Sequence, residues 1–105
     1  MSSGLAALAF VVIVAGETPG CPFMAKAAAV QVESNRAAAG IDGGWFGRGE
    51  PTAEDWLAVL VADEMPDLVD GALYFIGPGD AERMDWLQER TGRWVCDGTW
   101  VEAWR

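Results

Sequence analysis

The chain has 105 residues, of which 51% are hydrophobic, with six Trp and four Phe, so it can bury a core as one domain spanning residues 1–105 and is not a disordered segment. A net charge of −9 repels phosphate backbones and anionic lipid, which argues against nucleic-acid and membrane-surface partners. With no His and only two Cys there is no neutral-pH imidazole shuttle and no zinc ligand set, so neither metal nor cofactor is expected and acid–base work falls to carboxylates.

The first element is the apolar run Leu5 to Gly16, "LAALAFVVIVAG". Its 12 residues fall short of the ~20 that a helix needs to cross a bilayer, so no stable membrane span is expected. Three readings remain: a buried helix of the fold, a signal h-region cut after "VAG", and a membrane-associating anchor. The preceding "MSSG" has no Lys or Arg for a signal n-region, so the reading adopted is a core helix from about Ser3 to Gly16. "TPGCP" (Thr18 to Pro22) is a tight connection, and Phe23 to Ala39 is a second helix whose alanines permit close approach to a neighbour. Gly40 to Pro51 is a loop with five glycines and the aromatic pair Trp45-Phe46.

Thr52 with Asp55 three residues on predicts a capping box opening a third helix. Trp56, Val59, Leu60 and Asp63 follow its period and predict the stripe facing the core. The acidic run Asp63 to Asp70 reads as a solvated face. "ALYFI" (Ala72 to Ile76), ended by Gly77-Pro78-Gly79, predicts a strand, and Asp80 caps a short helix from Ala81 to about Arg90. The last segment is a hairpin around Asp97-Gly98, read as a type I′ turn that sets Arg93 opposite Glu102. The fold class is therefore α+β: three main helices, then a small antiparallel sheet with one short intervening helix. Cys21 and Cys96 are expected to be buried and reduced, because nothing else in the sequence marks an oxidising compartment.

Glu17 is the leading candidate for chemistry. It closes the most apolar segment, where desolvation and the negative end of a helix both favour the protonated carboxyl, the form that can give a proton to a leaving oxygen. The ordinary alternative is a solvated acid at a helix end.

The pattern Glu17-x-x-Gly20-x-Pro22, followed by an Ala/Val helix ending in Asn35-Arg36, resembles the spore-cortex-lytic and bacterial cell-wall hydrolase family. The 18 positions from Glu17 to Asn35 match that family's spacing without a gap. Pro66-Asp67-Leu68, Gly71-Ala72-Leu73-Tyr74-Phe75 with Pro78, and Thr91-Gly92 are similar to its later blocks, so the likeness covers about Val11 to Cys96. It implies a lysozyme-like domain that cleaves peptidoglycan glycan strands as a muramidase or lytic transglycosylase, with Glu17 aligned to the general acid. The second route needs one carboxyl, because the muramic acid 6-hydroxyl attacks the anomeric carbon. Hydrolysis would ask for a second acid at about 5 or 6.5–9.5 Å, and none declares itself.

The chain departs from the family at Pro19, Cys21, Gly77 and Trp94, and its middle segment is cut down to "GGWFGRGEP". Gln31 and Glu33 stand where the family's second helix is apolar, which the resemblance makes candidates for the cleft. Tyr74, on the strand expected to face that cleft, divides between core packing and sugar contact. Trp45 and Phe46 could stack on a sugar ring or lie as a lid over the core. Asn35 and Arg36 read as braces of the second helix, and Trp86 as core. The small size and the lack of a wall-binding repeat point to a phage-type lysin or a lysin module of a virion, acting at the bacterial cell wall beside other virion or lysis proteins. The rival is a non-catalytic structural or wall-binding protein that keeps the fold.

Overall fold

The computed structural model describes residues 4–41 and 49–105. Its elements are α1 (Gly4–Glu17), α2 (Phe23–Ala38), α3 (Ala53–Val61) with a 3₁₀ turn at Ala62–Glu64, β1 (Tyr74–Ile76), α4 (Asp80–Arg83), β2 (Arg90–Cys96) and β3 (Thr99–Trp104). This is an α+β arrangement of three main helices and one three-stranded antiparallel sheet, ordered β1-β3-β2.

α2 is the centre of the molecule. Ala25, Ala27, Ala28, Ala29, Val30 and Val32 are all buried, because methyl-sized side chains let α1, α3 and the sheet approach one helix together. α1 contributes Val11, Val14 and Ala15 to the core, with Phe10 packed against it. Among the described residues no helix is long and apolar enough to cross a membrane.

α3 opens with the expected capping box: the Asp55 N–H donates to the Thr52 hydroxyl and the Thr52 N–H to the Asp55 carboxylate. Its orientation differs from the predicted stripe. Asp55, Ala58 and Ala62 are buried, whereas Trp56, Leu57 and Leu60 are 40%, 50% and 62% exposed. The reason is electrostatic, since the Asp55 carboxylate reaches Lys26 inside the protein and rolls the helix so that its polar and alanine positions face α2. Val59 keeps part of the expected contact.

Asn35 and Arg36 brace α2 as read. The Asn35 amide donates to the Ala72 carbonyl and the Arg36 guanidinium to that of Leu73, fixing the chain as it enters β1. The expected helix to Arg90 is a single turn, α4, because the chain then runs alongside the end of β3: the Gln88 and Glu89 N–H groups donate to the Arg105 carbonyl. Trp86, read as core, is 55% exposed.

The hairpin register places Arg93 opposite Glu102, as predicted. The turn is not type I′, which needs positive φ at both central residues; only Gly98 has it, at 71°. The Asp97 N–H instead donates to the Gly20 carbonyl, tying the turn to the α1–α2 connection. On the inner face of the sheet Trp94 stacks with Phe75, with centroids 6.2 Å apart, and lies over Gly92, where a Cβ would come within 2.5 Å of its ring. Residue 92 must lack a side chain for the ring to settle there.

Candidate functional site

Glu17 is the last residue of α1 and is half-buried. The four residues after it are anchored on several sides. Thr18 is fully buried, and its N–H and hydroxyl both bond back to the Val14 carbonyl at 3.0 and 2.6 Å. Lys26 of α2 donates to the Thr18 carbonyl at 3.0 Å and to the Asp55 carboxylate at 2.7 Å, with both ionic side chains almost wholly buried. One ammonium therefore joins α2, α3 and the residue next to Glu17. Burial alone would push the Asp55 carboxyl up, but hydrogen bonds from Lys26 and Thr52, together with the Lys26 charge, outweigh it and hold Asp55 below the usual carboxylate value.

Cys21 and Cys96 are both buried, as expected, but they form a disulfide rather than two thiols. The physical cause is proximity: the Gly20–Asp97 hydrogen bond sets the loop edge to edge with the hairpin turn and brings their Cα atoms to 4.2 Å. From the other side Gly49 approaches the end of α1, where a Cβ on it would lie 2.8 Å from the Ala15 carbonyl carbon and oxygen. The described end of the glycine loop thus lies against the last turn before Glu17.

The remaining sequence-predicted residues are dispersed. The Gln31 amide donates to the carbonyls of Ala62 and Pro66 and accepts from the Leu68 N–H, so it is committed to clamping the segment after α3. Glu33 is buried in α2. Tyr74 opens β1, half-buried, with the Arg36 guanidinium 5.7 Å from its ring centre and the Trp86 ring edge-on at 6.5 Å. Trp45 and Phe46 lie outside the described residues. A cavity of about 190 Å³ lies between α2 and the segment after α3, lined by Gln31, Ser34, Asn35, Asp63, Met65 and Asp67 among others, and Glu17 is not part of it. No group of three or more His, Cys, Asp or Glu capable of holding a metal occurs among the described residues.

Sequence reasoning missed the Lys26–Asp55 pair and the disulfide. Each joins positions far apart in the chain, 29 residues in one case and 75 in the other, and no local pattern encodes such a pairing. A lone Lys inside an alanine-rich helix was the one available signal, because an ammonium buried there demands an acid from elsewhere. No protein-family model, curated protein sequence or solved structure matches this chain.

Proposed function

We propose that this chain is a lysozyme-like enzyme that cleaves peptidoglycan glycan strands, with the Glu17 carboxyl as general acid. The observation that carries this reading is the anchoring of Thr18 to Cys21: a buried ion pair, a disulfide and three backbone carbonyls hold the residues next to a half-buried carboxyl. Catalysis requires a proton donor fixed relative to the bond, and links from α2 and from the C-terminal hairpin both reach the residues directly after Glu17. The family resemblance around Glu17 and Asn35 supplies the substrate class.

The reaction balances without water. The Glu17 carboxyl protonates the glycosidic oxygen as its bond to the anomeric carbon breaks. The resulting carboxylate accepts the proton of the muramic acid 6-hydroxyl as that oxygen bonds to the same carbon, which leaves an anhydro end and restores the acid. One carboxyl serves both steps.

Glu17→Gln keeps the shape and removes the proton. Release of soluble fragments from purified peptidoglycan should fall by about 10²–10⁴-fold, and wild-type products should carry anhydro rather than reducing ends. Equal clearing by both proteins would end the assignment.

The separation of Glu17 from the 190 Å³ cavity favours a second reading, a wall-binding protein of the same fold without activity. It predicts no clearing by wild type, with retained sedimentation on peptidoglycan.

A further inference from the structure

The face of the sheet that carries Glu102 holds a second constellation that the acid role of Glu17 does not use. In an antiparallel ladder, side chains directly across share a face, so Tyr74, Trp104 and Arg90 form one row and Ile76, Glu102 and Arg93 the next. Val95 and Trp100 form a third row, where Val95 is 74% exposed, whereas Ile76 and Glu102 in the middle row are buried.

Arg90 and Arg93 are three residues apart, and in a regular strand they would point to opposite faces. The register shift between Arg90 and Gly92 inserts Thr91 as an extra residue and turns both guanidinium groups onto one face. Both meet the same carboxylate: Arg90 reaches Glu102 Oε2 at 2.8 Å and Arg93 reaches it at 4.0 Å. Glu102 is only 5% exposed at its side chain, while Arg90 and Arg93 are 49% and 47% exposed. The other carboxylate oxygen accepts from the Trp104 indole N–H at 3.0 Å. Two cations sharing one anion leave the cluster with a positive charge, on a protein whose net charge is −9.

Aromatic rings frame this cluster. Arg93 lies 4.8 Å from the centre of the Trp100 ring, Trp104 is held by Glu102, and Trp86 stands over Tyr74 with 55% of its surface exposed. Trp100 and Trp104 are four residues apart on β3, about 13 Å at strand rise, long enough for more than one pyranose ring. Indole faces suit the C–H faces of sugars, and a half-exposed guanidinium suits a carboxylate.

We propose that this face binds the peptidoglycan strand outside the bond that is cut, its sugar rings on the indole faces and the carboxylates of its stem peptides at Arg90 and Arg93. The inference rests on the substrate class proposed above. Nucleic acid also combines aromatic stacking with cations, but its charge density meets a strongly acidic protein here, which favours the more sparsely charged glycan.

The test uses co-sedimentation with insoluble peptidoglycan in the Glu17→Gln background, which retains the sheet and stops cleavage. Trp86→Ala and Trp100→Ala should each weaken binding about tenfold, and Arg93→Gln should flatten its salt dependence, with urea midpoints confirming that the variants fold. Trp86 and Arg93 are exposed enough that their variants fold even where Trp100→Ala does not. Undiminished sedimentation of the folded variants overturns the proposal, as does equally tight binding to neutral chitin or preferred binding of poly-dT. Failure of the parent to sediment while wild type still clears peptidoglycan overturns the platform alone. Undiminished clearing by Glu17→Gln ends the acid role and leaves a positive sedimentation result standing.

Discussion

Lys26 joins three parts of the described structure through one side chain. Its ammonium neutralises Asp55 and holds the carbonyl of the residue after Glu17, so its removal strands a buried carboxylate and frees the neighbour of the proposed acid together. Lys26→Met should cost about 3–5 kcal/mol in urea unfolding, whereas Lys26→Met with Asp55→Leu should recover most of that stability, because the isolated charge is gone. The double variant should still lose activity, since neither new side chain bonds to Thr18. The pair also sets an acid limit. Because the folded Asp55 titrates below its ordinary value, its contribution is fully present above the unfolded value of about 3.9 and is lost as pH falls from there through the lower folded value. Urea midpoints at pH 7 and pH 3 should differ more for wild type than for the double variant.

At the scale of elements, close approach decides two positions. Gly49→Ala would drive a Cβ into the Ala15 backbone, which cannot yield as a side chain can, so it should displace the glycine loop from the end of α1 and depress activity more than it lowers stability. Leu60→Glu on the outward side of α3 should leave stability within about 0.5 kcal/mol, where a core stripe would have predicted a large loss. The legibility of the sequence follows the same division. The capping box at Thr52, the Arg93–Glu102 register and the braces at Asn35 and Arg36 were readable because each depends on a few neighbouring residues or on strand periodicity. The roll of α3 was not, because Lys26, far off in sequence, selects which face turns inward. The turn at Asp97-Gly98 was misread for a related reason: its amide is engaged by Gly20, outside the hairpin. Of the candidate site, Glu17 at the end of α1 was legible, and the network that fixes the residues beside it was not.

Across the whole molecule, the disulfide joins the loop after the first helix to the last hairpin over 75 residues. By loop-closure entropy its loss should cost about 4 kcal/mol. Cys96→Ser should therefore unfold at markedly lower urea than wild type, and dithiothreitol should bring wild type to the same midpoint. Such a bond persists in oxidising surroundings. The crosslink has a topological consequence as well, because it makes residues 21–96 a covalent ring. Arg83, on the single turn of α4 with its side chain 78% exposed, lies within that ring. A tryptic cut after Arg83 would open the polypeptide without separating it into pieces: one band before reduction, two after. The nicked molecule would still carry Glu17 and the hairpin on the same covalent body, so a single cut there would not part the two ends of the chain.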